Sequence, residues 1–297
     1  MTSFLSFKKQ YIALGMLVFI ALFFFNTRPA SIQCQVPQLE ELPASVASTN
    51  SNLPTIYGIT PTYARLAQKA DLTRLSQTLM LVKNFHWIVI EDAENKTPLV
   101  ANLLRDSGLK YTQLNIKTEK EKAKKAMASG VEQRNKALEW LRGHLRGLSE
   151  EERIGVVYFM DDDNTYALKV FEEMRKINKV GVWPVGIVGG MMVEMPIITN
   201  GKVSGFNALW KPFRPFPIDM AGFAVAANLF LEHPEAKFSR KVQSGFQESV
   251  ILNYFVKKED LEPLADNCTK VYVWHTRTQK PSISKAGKAM TYNHIEV

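Results

Sequence analysis

The sequence predicts an α/β fold built on a doubly wound parallel sheet. Short runs of apolar residues, mostly β-branched or aromatic, alternate with segments that have helical periodicity. Strands that helices cover on both faces of a sheet have this composition. Three of the runs lead into polar or acidic residues, and sheets of this kind bind ligands beyond the carboxyl ends of their strands. These three runs are Thr55–Thr60, His86–Asp92 and Val156–Met160.

Two more strands and four helices belong to the predicted sheet region. Gly108 is expected to end the second helix, because glycine readily adopts the left-handed conformation that follows a helix. Residues 117–127 are rich in lysine and indicate a solvated loop or helix face. The strands are predicted at Leu109–Ile116 and Val180–Val188, and the helices at Leu66–Leu81, Thr97–Ser107, Val131–Leu145 and Tyr166–Ile177.

The composition changes after Gly189-Gly190, where glycine, proline and aromatic residues become frequent. This change predicts a boundary between two subdomains, residues 54–190 and 191–297. The second subdomain has strand-like pieces at Ile197–Ile198 and Val203–Leu209, short helices at Ala226–Glu232 and Val250–Phe255, and a last strand at Lys270–Trp274.

The N-terminus predicts a membrane anchor. Tyr11–Phe25 is an uninterrupted uncharged stretch that two lysines precede. No small-residue cleavage pattern follows closely, so an uncleaved signal-anchor is favoured over a removed signal peptide. We therefore expect a cytoplasmic tail at 1–10, a transmembrane helix at 11–27 and a disordered stem at 28–53.

The charge balance favours an acidic partner. The net charge is +8 and the isoelectric point is about 9.3. Nucleic acid is excluded as a partner, because lysines and arginines are scattered and no nucleic-acid-binding signature occurs. A phosphorylated donor or a polyanionic glycan would suit this charge, and so would an ordinary lysine-rich surface.

The cysteines and glycosylation sequons fit a lumenal protein. Two cysteines are too few for a disulfide framework. Cys34 in the stem is a candidate for a disulfide between two copies in an oxidising lumen, and Cys268 is expected to be a buried free thiol. Asn95 and Asn267 begin N-glycosylation triplets.

Asp161, Asp162 and Asp163 directly follow the apolar run that ends at Met160. Three carboxylates at the end of a buried strand can hold a hard divalent cation, which can bridge the phosphates of a nucleotide. The alternative is that Asp163 or Asn164 caps the helix that follows. Neither a dinucleotide fingerprint nor a Walker A loop occurs, so a metal and basic side chains are expected to hold any phosphates.

Six motifs in a fixed order resemble the β-1,3-glucuronyltransferase family, over nearly all of Pro54–Lys280. They are Pro61–Arg65, Glu91–Ala93, Tyr158–Tyr166, Asp219–Val225, Gln247–Ser249 and Trp274–Thr278. The resemblance implies a Golgi type II protein with a GT-A fold. It also implies transfer of glucuronic acid from UDP-glucuronic acid to a terminal galactose, with Mn²⁺ and with inversion of the anomeric centre. Residues 54–190 would then bind the donor, and residues 191–297 the acceptor.

The resemblance also implies roles on the donor side. Pro61, Thr62 and Tyr63 would line the uracil site, with Tyr63 stacking on the base, although Tyr63 could instead be an ordinary core residue. Further contacts would come from Asp92 to the uracil imide, Asp162 to the ribose, Asp163 to Mn²⁺, Asp161 to the donor sugar, His275 and Arg277 to the diphosphate, and Arg134 to the donor side. For His275, the alternative is a structural histidine at a strand end.

On the acceptor side, the resemblance implies that Glu248 is the general base. A single carboxylate that deprotonates the galactose hydroxyl fits an in-line displacement with inversion. Glu194 and Asp219 would bind acceptor hydroxyls, and Phe206 or Trp210 could stack on a sugar ring. The alternatives are a surface acid for Glu194 and a core aromatic for Phe206.

Two positions depart from the family pattern. Ser129 stands where the family usually has an arginine, so a donor-binding cation is either missing or supplied by Lys124 or Lys125. Phe206 stands where proteoglycan-linker enzymes tend to have tryptophan, which leaves the acceptor open between Gal-β1,3-Gal and Gal-β1,4-GlcNAc. The alternatives to the glucuronyltransferase are a non-catalytic glycan-binding protein on the same scaffold and a transferase that uses another UDP-sugar.

Overall fold

A computed structural model describes residues 53–119, 129–289 and 295–296. The predicted anchor, most of the stem, Cys34, Lys124 and Lys125 lie outside this range. Among the described residues, no helix has the length and apolar character needed to cross a bilayer.

The larger of two sheets is a mixed seven-stranded sheet. Its strand order is β11-β6-β10-β4-β1-β2-β3, and helices cover both of its faces. Its strands are β1 (Thr55–Thr62), β2 (Phe85–Glu91), β3 (Lys110–Asn115), β4 (Gly155–Phe159), β6 (Val180–Val182), β10 (Phe223–Ala226) and β11 (Glu262–Pro263).

Alternate residues of the central strands enter two separate apolar cores, as predicted for a strand that is covered on both faces. Val157 and Phe159 of β4 pack on one face, and Val156 and Tyr158 pack on the other. One core includes the helix α3 (Val131–Arg146), and the other includes α1 (Gln68–Leu79), α2 (Pro98–Ser107) and α4 (Leu168–Met174). The helix α2 ends at Gly108, which has a φ of 66°, as the sequence predicted.

Strand β10 makes the sheet mixed rather than wholly parallel. It is antiparallel to both β4 and β6, whereas β1 is parallel to β2 and β4. Sequence periodicity missed β10, because four buried residues that include two alanines cannot be assigned to a strand or a helix by pattern alone. The helix predicted at Ala226–Glu232 is a single turn, α5 (Leu229–Glu232).

The predicted strand Val180–Val188 is two strands in different sheets. Its first part is β6, and its second part is β7 (Val185–Val188) of the smaller sheet. Trp183 and Pro184 separate them, since proline has no N–H to continue a ladder. The smaller sheet also contains β5 (Thr165–Tyr166), β8 (Met191–Thr199), β9 (Lys202–Asn207) and β12 (Val273–Trp274).

The last helices are α6 (Gln247–Leu252), which starts earlier than predicted and includes Glu248, and α7 (Lys285–Ala289). Ala265–Cys268 form a turn in which all four residues have positive φ, between 52° and 60°.

Candidate active site

The carboxyl ends of β4, β1 and β2 lie side by side, because these three strands are parallel neighbours. This arrangement brings the three predicted polar strand ends to one edge of the sheet. A cavity of about 350 Å³ opens there, and we call it the aspartate cavity. Its lining includes Pro61, Thr62, Tyr63, Arg65, Asp92, Ser129, Arg134, the three consecutive aspartates, His275 and Arg277. All ten residues assigned to the donor and the metal line this one cavity.

Asp162 is buried and held from two sides. The Thr62 hydroxyl donates to Asp162 Oδ2 at 2.7 Å, and the Arg65 guanidinium pairs with Oδ1 at 2.7 Å. Burial raises the pKa of Asp162, and the bonds from Arg65 oppose that rise. Asp162 is thus the most rigidly placed carboxylate of the three.

Asp161 pairs with Arg134 at 2.8 Å. The same guanidinium also donates to the Ser129 carbonyl at 3.0 Å, while its buried Nε bonds to none of the residues that the structure describes. The left-handed Gly130 has φ +74° and lies against this side chain, since a Cβ at Gly130 would come within 2.6 Å of Arg134 Nη1. The positive φ favours glycine at this position, and a larger residue would also displace the end of the Arg134 side chain.

Asp163 differs from its two neighbours, because other residues hydrogen-bond to its backbone carbonyl rather than to its side chain. Its carbonyl accepts from Thr276 Oγ1 at 2.7 Å and from Arg74 at 3.4 Å. Within the described residues, no other residue bonds to its carboxylate, which is half-buried and whose pKa is raised by burial and by Asp161. The capping alternative is wrong, because the N-cap of α4 is Ala167 and Thr165–Tyr166 form a strand.

Two of the residues that are predicted to bind uracil, Tyr63 and Asp92, have groups that are accessible from the aspartate cavity. Tyr63 is 57% exposed, so its core-packing alternative is wrong, and Arg65 lies 4.8 Å from its ring centroid. Asp92 Oδ1 accepts from the Thr118 N–H at 2.8 Å and lies 3.5 Å from Lys117 Nζ, and no described residue bonds to Oδ2.

A second cavity, of about 830 Å³, adjoins the first, and we call it the glutamate cavity. Its lining includes Glu194, Trp210, Arg214, Asp219, Glu248, His275 and Arg277. His275 and Arg277 line both cavities, so they mark the place where the two meet.

Arg214 lies between the two glutamates of this cavity. Its guanidinium is 3.7 Å from Glu248 Oε2 and 3.8 Å from Glu194 Oε2. Three backbone carbonyls fix the buried arginine: those of Trp210, Lys211 and Gly245. Sequence reasoning did not identify Arg214, because only the fold brings it to these two acids. A signal would have been an arginine within an otherwise apolar, proline-rich stretch.

Both glutamates have strongly shifted acidities. Burial raises the pKa of Glu194 to about 7, and Arg214 opposes that rise. Burial likewise raises the pKa of Glu248 to about 7, with opposition from its own backbone N–H and from Arg214. Each has a buried oxygen without a hydrogen-bond partner among the described residues: Glu194 Oε1 and Glu248 Oε2. Glu194 is only 3% exposed, so its surface-acid alternative is wrong.

Asp219 connects the glutamate cavity to His275. Its Oδ2 bonds to His275 Nδ1 at 3.0 Å, and its Oδ1 accepts from the Ala221 N–H at 2.9 Å. The bond to Asp219 raises the pKa of His275, which favours the imidazolium. Arg277, the second residue shared by the cavities, is exposed and has no ion pair within the described part of the chain.

The two aromatic candidates are placed differently. Trp210 is 50% exposed and lines the glutamate cavity. Phe206 is partly buried against the apolar core and is not among the residues that line this cavity. The structure therefore favours Trp210 over Phe206 as a platform for a sugar ring.

The predicted glycosylation sites and the free thiol lie away from these cavities. Asn95 and Asn267 are exposed, and Asn267 is in the left-handed turn 265–268. Cys268 is buried, as predicted, and burial raises the pKa of its thiol to about 12.

The sequence is similar to characterised proteins over most of its length. It is 48% identical to galactosylgalactosylxylosylprotein 3-beta-glucuronosyltransferase I of Drosophila melanogaster, over 93% of this chain and 92% of that protein. It is 54% identical to the Caenorhabditis elegans enzyme sqv-8 of the same name, over 80% of this chain and 67% of that protein. Galactosylgalactosylxylosylprotein 3-beta-glucuronosyltransferase 3 of Homo sapiens is 49% identical, over 88% of this chain and 81% of that protein. The sequence model of Glycosyltransferase family 43 matches residues 75–279. These similarities confirm the resemblance inferred from the motifs, and the chain belongs to glycosyltransferase family 43.

Proposed function

We propose that this protein transfers glucuronic acid from UDP-glucuronic acid to the 3-hydroxyl of the terminal galactose of a galactosyl-galactosyl-xylosyl-protein. The observation that carries the proposal is an identity of 48% and 54% to the fly and worm relatives that are named for this activity. The relatives' names favour the proteoglycan linker over N-acetyllactosamine as the acceptor. We propose the GT-A fold on the same ground of family membership.

In this proposal the aspartate cavity binds the UDP-sugar. The exposed face of Tyr63 is available to stack on uracil, and Asp92 Oδ2 is available to accept from the imide N–H. Asp162 is held rigidly enough to orient a ribose hydroxyl. His275, as an imidazolium, and Arg277 supply positive charge to the diphosphate. Arg134 is already paired with Asp161, so it orients that carboxylate toward the donor sugar.

The residues present fit a divalent cation at Asp163. Among the described residues, no group of three or more His, Cys, Asp or Glu side chains could hold a metal by itself. Asp163 offers a carboxylate that no other described residue occupies, as a hard cation with oxygen ligands requires. A single protein carboxylate suits a site that the diphosphate completes. When bound there, Mn²⁺ would neutralise the charge that develops on departing UDP.

Glu248 is proposed as the general base. A pKa of about 7 lets a carboxylate accept a proton near neutral pH and still be partly ionised there. The galactose 3-hydroxyl would lose its proton to Glu248 as its oxygen attacks the anomeric carbon, and the bond to UDP would break on the opposite side. Glu194 and Asp219 would accept hydrogen bonds from the acceptor hydroxyls, and Trp210 would stack on the sugar.

Transfer assays with the purified lumenal region test this proposal. UDP-glucuronic acid, UDP-galactose and UDP-xylose are compared on Gal-β1,3-Gal and Gal-β1,4-GlcNAc acceptors, each with Mn²⁺ and with a chelator. Transfer only from UDP-glucuronic acid to Gal-β1,3-Gal is the expected result. Faster transfer from another UDP-sugar would trace to Ser129, where the family has an arginine, and would refute the donor assignment. Binding of the acceptor without UDP binding or transfer would favour a non-catalytic glycan-binding protein.

We also propose that the protein is a type II membrane protein, on the basis of the apolar stretch within residues 11–27 and the lysines before it, and that it resides in the Golgi, which the resemblance to its family implies. A homodimer linked through Cys34 is part of the same proposal. Sensitivity of the full-length chain to N-glycosidase, with loss of the shift when Asn95 and Asn267 are replaced by Gln, would place the domain in the lumen. Loss of a non-reducing dimer in Cys34→Ser would identify the disulfide.

A further inference from the structure

Asp71 is a fully buried carboxylate to which the proposed function assigns no role. It lies in the first turn of α1 and is 0% exposed. An ionised carboxylate that is withdrawn from water is tolerated only when it is paired and hydrogen-bonded. Asp71 does not line either cavity, so it cannot contact a ligand that is bound there.

Three side chains from different parts of the chain converge on Asp71. Arg65, from the segment after β1, pairs with Oδ2 at 2.7 Å. Arg74, one turn along α1, pairs with Oδ1 at 3.2 Å, and the Thr278 hydroxyl donates to the same oxygen. Arg65 and Arg74 are within six residues of Asp71, whereas Thr278 is 207 residues away, so Asp71 joins the start of α1 to the C-terminal segment.

Two of these three partners reach the aspartate triplet. Arg65 bridges Asp71 and Asp162, with 2.7 Å to each carboxylate. Arg74 lies 3.2 Å from Asp71 Oδ1 and 3.4 Å from the Asp163 carbonyl. Without the charge of Asp71, Arg65 would lose one of its two carboxylate partners and would be less restricted against Asp162.

The third partner belongs to the segment that enters both cavities. Thr278 directly follows Arg277 and is three residues after His275. Thr276 in the same segment bonds to the Asp163 carbonyl, so Thr276 and Thr278 attach the segment to the triplet and to Asp71. The peptide that carries Arg277 is thus held on both sides of that residue.

We infer that Asp71 is a positioning residue for the nucleotide: it holds Asp162, through Arg65, and the segment of Arg277, through Thr278, in the arrangement that binds UDP. The inference rests on the proposed function, because it assumes that the aspartate cavity is the UDP site. It predicts that loss of the Asp71 charge weakens binding of the donor and leaves binding of the acceptor unchanged.

The test measures UDP binding by calorimetry with Mn²⁺ present, together with the KM values for donor and acceptor. Asp71→Asn is expected to raise the Kd for UDP and the donor KM about tenfold or more, with little change in the acceptor KM. Asp71→Glu keeps the charge and should recover most of the affinity. Asp106→Asn, at an exposed ion pair in α2, is the matched control and should bind UDP as the wild type does.

Thr278→Val is a second variant, in case Asp71→Asn does not fold. It should fold normally, because Thr278 is exposed and its hydroxyl is the only group removed. It should raise the Kd for UDP about threefold to tenfold. In the double variant Asp71→Asn/Thr278→Val, the loss of UDP-binding free energy should be smaller than the sum of the losses in the two single variants, since both substitutions act on the same bond.

Folded Asp71→Asn and Thr278→Val proteins that bind UDP as tightly as the wild type would overturn the inference. An equal loss of donor and acceptor affinity would also overturn it, since that pattern indicates a general structural role. If the wild-type protein itself fails to bind UDP, the proposed function is wrong, and the inference falls with it.

Discussion

The substitution Glu248→Gln tests the chemistry most directly, because it removes a base while it keeps the shape of the side chain. Glu248 Oε2 is buried, has no hydrogen-bond partner among the described residues and is 3.7 Å from Arg214. A Gln can retain an oxygen near Arg214, so we expect the fold and the glutamate cavity to persist. Loss of a general base lowers kcat by about 10²–10⁴-fold, and we expect a value in that range.

The dependence of kcat on pH provides a second test of this prediction, because the pKa of Glu248 is about 7. A carboxylate with that pKa is about one-tenth ionised at pH 6 and about nine-tenths ionised at pH 8, so kcat should rise about tenfold between them. The sign follows from the role: only the ionised form accepts a proton. The residual activity of Glu248→Gln should lack this rise.

Glu194 provides the matched control, because it has the same pKa of about 7 and lies 3.8 Å from the same arginine. If Glu194 binds the acceptor, Glu194→Gln should raise the acceptor KM and should keep the rise of kcat with pH. Neither residue lines the aspartate cavity, so both variants should bind UDP with a Kd close to that of the wild type.

Two outcomes would refute this reasoning. One is a Glu248→Gln protein that retains a tenth or more of the wild-type kcat. The other is a reversal of the pH profiles, with the rise lost in Glu194→Gln and kept in Glu248→Gln, which would make Glu194 the base. Rate measurements from pH 5.5 to 8.5 on the three proteins, with calorimetric UDP binding, distinguish all of these results.

Three other substitutions test single contacts of the two cavities, and a fourth, Phe206→Ala, serves as a comparison for Trp210→Ala. Asp163→Asn should abolish the Mn²⁺-dependent part of UDP binding, measured by calorimetry with and without chelator, and an unchanged metal dependence would remove Asp163 from the metal site. Tyr63→Ala should weaken UDP binding by about 1–3 kcal/mol through the loss of base stacking, and an unchanged Kd would show that uracil lies elsewhere. Trp210→Ala should raise the acceptor KM about tenfold with an unchanged donor KM, whereas Phe206→Ala should mainly lower the melting temperature, because Phe206 packs against the core. A larger acceptor effect from Phe206 would reverse that assignment.

The strand ends of the aspartate cavity could be predicted from the sequence for a physical reason. Parallel strands that share a sheet have their carboxyl ends on one edge, so the residues that follow β1, β2 and β4 were expected to lie together. The uninterrupted apolar run of β4 predicted that helices cover both faces. Only the resemblance to the family predicted that Arg134, His275 and Arg277 belong to this cavity. Local capping rules likewise gave the end of α2 at Gly108 correctly.

The glutamate cavity was harder to predict, because its parts come together through long-range contacts. Arg214 lies in a segment outside the helices and strands, whereas Glu248 lies in the first turn of the short helix α6, and no periodicity signals their approach. Asp71 was missed for a related reason: on α1 it looks like an ordinary first-turn acid, and only the tertiary structure buries it against Arg65 and Thr278. Resemblance supplied Glu248, but it did not supply the contacts around it.

The sequence did not predict two features of the large sheet, the break after β6 and the strand β10. Both features hold the residues that orient His275, which lines the two cavities. Trp183, at the break, donates from its indole to the Ala221 carbonyl at 2.9 Å, and the Tyr158 hydroxyl of β4 donates to the same carbonyl at 2.8 Å. Ala221 in turn donates its N–H to Asp219 Oδ1, which leaves Oδ2 for His275. Two buried aromatic residues therefore hold the turn before β10, and that turn orients Asp219. Because His275 bonds to Asp219 Oδ2, the orientation of this histidine, which lines both cavities, is set from the core of the sheet.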